Sequence, residues 1–487
     1  MKYDVIVIGC GMSGILAGIH LKNSGKKFII LEKAGTLGGT WRDNTYPGLT
    51  CDVPSHAYTY SFEPNPEWSR VLPPGAEIQQ YFEGVFKKYG IADFSQFGTE
   101  ITRAEWTCDA WTLQDQHGKQ YQGKVVVAAT GVLHHPNYPQ IKGLEEFEGD
   151  TIHSARWDHS VPLDGKRIAV IGTGSTGVQI VSALASRARV RHFQRTAQWI
   201  FPVENPAFSE EQRAEFRSNR DLLVYLQREP TYVANVERFT EGVLDPNSEQ
   251  IQEIQKICQD NLDGSVADAA LREKLQPHYR AGCKRLIYSP DYYKAIQHPD
   301  SELITEAIAK VEKKGVRTSD GVLHEVDIIV LATGFKTDRY VRPMNVTGLN
   351  GATLEQAWSD VPTAYKSISV PGFPNFYFMN GPTSPVGNFS LIDTSEMQWG
   401  YISQLIERGQ QAGVAGLSAR PEALAQYDQE RLQAAKGSVF GSGCNSWYLD
   451  RNGVPNTWPW SQSRFRQEMS APVWQDYIHH QTEELVA

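Results

Sequence analysis

The first strongly patterned stretch is a β-branched run, Tyr3 to Ile8, of the kind that forms a parallel strand buried on both faces. Gly9-Cys10-Gly11-Met12-Ser13-Gly14 follows, then apolar residues at helical spacing through Leu16-Ala17-Gly18-Ile19-His20-Leu21, then a second apolar run, Phe28 to Leu31, ending at Glu32. The pattern predicts a strand-helix-strand unit. It returns downstream as a strand over Arg167 to Ile171, a turn Gly172-Thr173-Gly174-Ser175-Thr176-Gly177, a helix over Val178 to Ser186 and a strand over Arg189 to Gln194. From about Pro206 to Gly282 the sequence becomes polar, with Ile251, Ile254, Ile257 and Cys258 at helical spacing in a charged background, which predicts a helical insertion. Two more apolar runs, Lys124 to Ala129 before Thr130-Gly131 and Val326 to Ala332 before Thr333-Gly334, read as strands that each close a dinucleotide sheet. The remainder, with Phe376-Tyr377-Phe378 and a long amphipathic helix near Met397 to Arg408, returns to complete the first fold.

The expected fold class is therefore α/β, with two Rossmann-like dinucleotide-binding domains and a helical insertion. The boundaries expected are 1–144 and 370–487 for the first domain, 150–204 and 283–340 for the second, and 205–282 for the insertion. A chain of 487 residues suits about three such units at roughly 150 residues each. Its 47 basic and 56 acidic residues give a formal charge of -9, which argues against nucleic acid or an anionic membrane as the main partner. No stretch approaches the roughly 20 apolar residues that span a bilayer. Met1-Lys2-Tyr3-Asp4 leads straight into the first strand without a signal-peptide pattern, so the expected location is cytoplasmic. The six cysteines are scattered, with no C-x-x-C, and are expected to be reduced thiols, mostly buried. No histidine spacing suggests a metal, and oligomeric state is not encoded in any motif.

A Gly-x-Gly-x-x-Gly turn between strand and helix lets pyrophosphate approach the backbone and rest on the free N-H groups of the helix start. Gly9, Gly11 and Gly14 form one such turn. Glu32 closes the next strand 18 residues after Gly14, where a carboxylate accepts from ribose hydroxyls. Gly172, Gly174, Ser175 and Gly177 form the second turn, but its next strand ends Phe193-Gln194-Arg195-Thr196, with an arginine in place of an acid. That substitution points to the 2'-phosphate of NADP over NAD, the plain alternative being a solvated surface arginine.

One segment makes the likeness specific. Phe147-Glu148-Gly149-Asp150-Thr151-Ile152-His153-Ser154-Ala155-Arg156-Trp157-Asp158 matches the fingerprint F-x-G-x-x-x-H-x-x-x-W-(P or D) of the Baeyer-Villiger monooxygenases, a branch of the class B flavoprotein monooxygenases. The chain resembles that family also at Gly38-Gly39-Thr40-Trp41, Tyr46-Pro47-Gly48, Cys51-Asp52, Lys284-Arg285, Ala332-Thr333-Gly334-Phe335 and Cys444-Asn445-Ser446-Trp447-Tyr448. The resemblance implies FAD in the first fold and NADP(H) in the second. It further implies NADPH- and O2-dependent conversion of a ketone to an ester or lactone through a flavin C4a-peroxide.

By the same resemblance Arg285 is the catalytic cation and Asp52 the carboxylate that orients it. An arginine suits that task because it stabilises a peroxide and a negative adduct without surrendering a proton. Gly39, Thr40, Trp41, Val53 and Tyr58 are implied around the flavin, although core packing is an equal reading for Trp41 and Tyr58. Lys284 is implied as a second 2'-phosphate contact beside Arg195 and Thr196, with an ordinary solvated lysine as the alternative. His153 and Trp157 fall in the linker between the folds, where the pattern implies coupling of NADP movement to site assembly. Substrate-facing loops are expected at Gly381 to Phe389 and around Trp447. The rival activities are N- or S-oxygenation by the same flavin chemistry, against which Trp157 argues, a disulfide-reductase-type enzyme, disfavoured by the lack of a cysteine pair near the flavin fold, and an FAD-holding protein without turnover.

Overall fold

The structure is a computed structural model and describes residues 2–385, 387 and 389–481. Val386 and Asn388, in the loop expected to face the substrate, lie outside the described residues, as do Met1 and 482–487.

Strand β1 (Lys2–Ile8), helix α1 (Met12–Asn23) and β2 (Phe28–Leu31) make the first unit, and β1 pairs in parallel with β2 in the register Ile6 to Ile29. Beyond β2 lies a short β3 (Ser95–Gln96). On the other side β1 pairs in parallel with the last strand of an antiparallel meander, β4 (Ile101–Thr107), β5 (Ala110–Asp115) and β6 (Gln120–Ala128). Residues Phe376–Phe378 run parallel to β6 and Asn345–Thr347 parallel to β4, so the later part of the chain completes the first sheet. Val5 to Val7 and Val126 to Val127 are fully buried, as runs enclosed on both faces must be.

The second sheet is wholly parallel. It contains β7 (Asp150–His153), β8 (Arg167–Ile171), β9 (Arg189–Phe193), β10 (Ser301–Ile304) and β11 (Ile328–Leu331), in the order β10-β9-β8-β11-β7. Helix α2 (Ser175–Leu184) connects β8 to β9. The fingerprint segment opens this sheet: β7 pairs along β11 with His153 opposite Leu331.

Between 205 and 282 five helices follow one another, Glu210–Ser218, Arg220–Gln227, Pro230–Gly242, Glu249–Ser265 and Ala269–Leu275. Helix Glu249–Ser265 buries Ile251, Ile254, Cys258 and Leu262, the face read from its spacing with Leu262 in place of Ile257. The long C-terminal helix is Leu391–Ala412, longer at both ends than its apolar pattern, and Gly413 ends it in the left-handed conformation at φ 64°. No helix among the described residues is long and apolar enough to cross a membrane.

One expectation is corrected. Cys283 and Cys444 are not free thiols but form a disulfide across 161 residues, with their Cα atoms 6.2 Å apart. Linear spacing could not show it, because the two meet only when the insertion and the C-terminal segment pack together around Trp199, Val243, Ile251, Phe440 and Tyr448. Of the remaining thiols Cys10, Cys51 and Cys258 are buried and Cys108 is exposed.

Candidate active site

Each nucleotide fold ends in a glycine-lined cradle. In the first, Gly9 has φ +101° and a Cβ there would stand 2.5 Å from Ala129 O, while one on Gly14 would stand 1.9 Å from Gly9 O. Those two glycines are demanded by the fold itself. Gly11 is different, since its nearest protein neighbour would be Gly39 Cα at 3.8 Å. The Gly38-Gly39 turn faces the Gly11 turn and is tied to it by Gly38 N-H donating to Cys10 O at 2.9 Å. Gly11 caps α1 without any side-chain acceptor, so the first-turn N-H groups are left for an anion.

Around this cradle the expected flavin residues converge. Glu32 is buried at the end of β2, where its carboxylate accepts from Cys10 N at 2.7 Å and Ala34 N at 2.9 Å and pairs with Arg42 at 3.3 Å. Thr40 starts the short helix Thr40–Asp43. Trp41 Nε1 donates to Tyr58 Oη at 3.2 Å and their rings meet edge to face, Tyr58 within the core of the first fold and Trp41 packed against it. Burial drives the Tyr58 phenol well above its ordinary pKa, which keeps it neutral. Asn380, a residue without a sequence signal, donates to Ser13 Oγ at 3.0 Å and Ser395 Oγ at 2.8 Å, fastening the later chain to α1. Its Oδ1 is a buried acceptor with no donor among the described residues, which suits a bound group carrying an N-H or O-H.

The second cradle repeats this arrangement. A Cβ on Gly177 would stand 2.0 Å from Gly172 O, whereas one on Gly174, the α2 cap, would meet nothing within 4 Å. Thr173 Oγ1 donates to Thr196 O at 2.9 Å, joining the turn to the end of β9. Arg195 is exposed there. Lys284 lies over the Tyr279 ring at 4.7 Å, and its amine pKa is lowered by burial and by the nearby charge of Arg195.

The folds are joined by the Tyr46-Pro47-Gly48 loop. Tyr46 Oη donates to Gln179 Oε1 at 2.8 Å, and Gln179 Nε2 donates to Thr50 O at 3.0 Å. Gly48, at φ +82°, has no room for a Cβ, which would fall 2.6 Å from Gln179 O on α2. This contact delivers Cys51, Asp52 and Val53 to the space between the folds. There Asp52 Oδ2 accepts from Arg285 Nη2 at 2.6 Å and Nε at 3.1 Å, a pair separated by 233 residues in sequence. The side chains retain 30% and 20% of their exposure, so the pair is sheltered but reachable. Burial works against the Arg285 charge, yet the Asp52 carboxylate outweighs it and holds the guanidinium firmly protonated.

His153 is buried; its Nδ1 accepts from Ala155 N at 3.1 Å, and its ring lies 4.9 Å from that of Tyr138. Burial lowers its pKa, which leaves the ring neutral. Trp157 packs against the core of the second fold. Tyr448, quoted above only as part of a motif, faces Arg285, and the pattern of the chain alone gave it no role.

Two nucleotide cradles opening toward one sheltered arginine-carboxylate pair define a flavin- and pyridine-nucleotide-dependent oxidoreductase. Residues 6–218 match the family described as pyridine nucleotide-disulphide oxidoreductase. An uncharacterised monooxygenase of Mycobacterium tuberculosis is 44% identical over 95% of this chain and 93% of its own. A Baeyer-Villiger monooxygenase of Streptomyces coelicolor is 36% identical over 95% of this chain and 90% of its own. Among solved structures, an oxidised steroid monooxygenase bound to NADP aligns with a TM-score of 0.87 at 29% identity, covering 99% of this chain and 100% of that one. Cyclohexanone monooxygenase from Rhodococcus bound to NADP+ aligns with a TM-score of 0.86 at 28% identity, covering 99% of each chain. The chain belongs to the Baeyer-Villiger monooxygenase family.

Proposed function

We propose that Arg285, oriented by Asp52, is the charge on which the family's reaction turns in this protein. In that reaction a ketone, O2, NADPH and a proton give an ester or lactone, NADP+ and water. The observation that carries the reading is the Arg285–Asp52 ion pair at 2.6 Å, seated between the two cradles. FAD, when bound, supplies hydride acceptance and oxygen activation. The chain's own residues supply placement, charge and shelter from water.

In this reading Gly9, Gly11, Gly14, Glu32, Gly39 and Thr40 hold FAD, with Trp41, Tyr58 and Val53 walling it. Gly172, Gly174, Ser175 and Gly177 hold the pyrophosphate of NADPH, and Arg195, Thr196 and Lys284 take its 2'-phosphate end. Arg285 stabilises negative charge on the reacting oxygen and keeps its own proton throughout, because a guanidinium stays ionised at any working pH. Asp52 accepts from it and so anchors the Nε–Nη2 edge of the guanidinium between the two cradles. Residues 1–144 and 370–487 then act as the FAD domain, 150–204 and 283–340 as the NADP domain, and 205–282 as the insertion that covers their junction. The reading keeps the enzyme in the cytoplasm, where NADPH is regenerated. The Cys283–Cys444 bridge, at 0% and 7% exposure, is there shielded from the thiol pool.

A panel of linear, cyclic, aryl and steroid-sized ketones, run under isotopically labelled O2 with products weighed by mass, tests the reading. One labelled atom in an ester, and none at that position from labelled water, is expected. Products confined to sulfoxides or amine oxides across sulfide and amine controls would overturn it.

A further inference from the structure

Both hydrogen bonds from Arg285 to Asp52, through Nε and Nη2, end on the same carboxylate oxygen, Oδ2. A fork-to-fork pair on two oxygens fixes the plane of a guanidinium. A pair converging on one oxygen leaves the plane free to pivot about that point. Something else must hold the Nη1 edge if the charge is to stay aimed.

Tyr448 is placed to do so. Gly387 runs beside both side chains at φ +89°, and a Cβ on it would lie 2.6 Å from Arg285 Nη1 and 2.4 Å from Tyr448 Oη, so all three share one small space. The Tyr448 ring is buried and set against Phe440 at 5.0 Å and Trp447 at 4.3 Å. Its backbone is fixed too, with N-H donating to Ser446 Oγ at 3.0 Å and the carbonyl accepting from Asn456 N at 2.7 Å. Burial raises the Tyr448 pKa, against the pull of the neighbouring Arg285 charge. The net shift is upward, so the phenol is neutral and presents an acceptor oxygen to the arginine. Cys444, in the same loop, is bonded to Cys283, two residues before Arg285. The loop of Tyr448 and the segment of Arg285 are thus joined covalently at one end, and their side chains lie side by side against Gly387 at the other.

We propose that Tyr448 is a positioning residue for Arg285: its hydroxyl oxygen accepts from Nη1 and stops the guanidinium pivoting on Asp52, while the Cys283–Cys444 bridge keeps the Tyr448 loop in reach. The proposal rests on the reading of Arg285 given above. With two N-H groups on Asp52 and one on Tyr448, two of the five guanidinium donors remain to face the reacting oxygen.

Tyr448→Phe keeps the ring and removes only the oxygen. In the FAD-loaded enzyme, ester formed per NADPH consumed should fall about five- to tenfold, the missing NADPH reappearing as hydrogen peroxide. The Michaelis constant for NADPH and the rate of flavin reduction should stay within about twofold, because the charge itself is still there. A second measurement needs no turnover. Labelling of Arg285 by phenylglyoxal, followed by peptide mass, should run several-fold faster in Tyr448→Phe than in wild type. Cys444→Ser, which unties the loop but keeps the hydroxyl, should fall between the two in both measurements. Wild-type coupling with unchanged Arg285 labelling in Tyr448→Phe overturns the proposal, and so does a loss of thermal stability alone, which would mark a packing role. Arg285→Ala separates the two ideas: if it keeps wild-type coupling, the reading of Arg285 fails, and if it uncouples while Tyr448→Phe does not, only the role of Tyr448 fails.

Discussion

Gly174 and Gly177 sit three residues apart in one turn, yet replacing each by alanine should break different things. At Gly177 the new methyl would stand 2.0 Å from Gly172 O and 2.9 Å from its carbon, both backbone atoms that cannot swing aside. Overpacking of this kind costs about 1–3 kcal/mol or more. At roughly 2–4 °C per kcal/mol for a domain of this size, the melting temperature should drop by several degrees. At Gly174 the backbone angles, φ -70° and ψ 179°, are open to any residue, and the methyl would meet nothing within 4 Å. Alanine there gains about 0.4–1 kcal/mol by restricting the unfolded chain and gives back a similar amount as a poorer helix cap, so stability should stay within about 1 kcal/mol of wild type. What Gly174→Ala should lose is the coenzyme, since the methyl occupies the approach of the pyrophosphate. A rise of at least about tenfold in the Michaelis constant for NADPH, or 1.4 kcal/mol, is expected. The assay pairs melting curves of the FAD-loaded protein, with and without NADP+, with initial rates over a range of NADPH. NADP+ should raise the melting temperature of wild type and raise that of Gly174→Ala less, the two differing by up to about 1.4 kcal/mol of ligand stabilisation for a tenfold loss of affinity. A Gly174→Ala enzyme with an unchanged NADPH constant would show that the pyrophosphate does not lie on this turn.

Further outcomes follow from the same geometry. Gly11→Ala should fold but purify without yellow colour, because its methyl is clear of protein at 3.8 Å and obstructs only a phosphate group on the first turn; full FAD occupancy by absorbance would contradict this. Arg195→Ala should raise the Michaelis constant for NADPH far more than that for NADH, by about 10- to 100-fold for a charged contact of roughly 1.5–3 kcal/mol, and equal effects on both coenzymes would remove Arg195 from the site. Arg285→Ala should still let NADPH reduce the flavin while ester yield falls about 100- to 1000-fold and hydrogen peroxide takes its place. Asp52→Ala should do the same more mildly, and the double variant should be little worse than Arg285→Ala, as for residues acting as a unit; additive losses would separate them.

What could be read in the sequence was what lies close together along it. The two glycine turns were legible because strand, turn and helix are consecutive, and the apolar runs around them carry the period of buried parallel strands. Glu32 and Arg195 were legible for the same reason, each standing at the end of the strand that follows its turn. Of the meander β4-β5-β6 only the apolar end of β6, Lys124 to Ala128, was legible; β4 and β5 were missed, although Trp106 and Trp111 face each other across them, since they alternate weakly and no Asn-Gly or Asp-Gly turn marks the hairpins. Asp52 and Arg285 could be paired only through likeness to a family, because no local rule connects residues 233 positions apart. Asn380 and Tyr448 gave no signal of their own, one an ordinary amide and the other one tyrosine among 21. The disulfide went unseen because its partners meet only through the folded insertion.

That bridge also changes what a cut in the chain means. Cys283 and Cys444 close a covalent ring that carries β10, β11 and the hairpin of Ile308–Glu312 and Gly315–Thr318, whose tip is the exposed pair Lys313-Lys314. A trypsin nick at that tip severs the backbone without releasing either half. The nicked protein would run as a single species on a non-reducing gel and as two fragments once a thiol is added, so ring closure can be read directly from a pair of lanes, with no substrate, coenzyme or flavin involved.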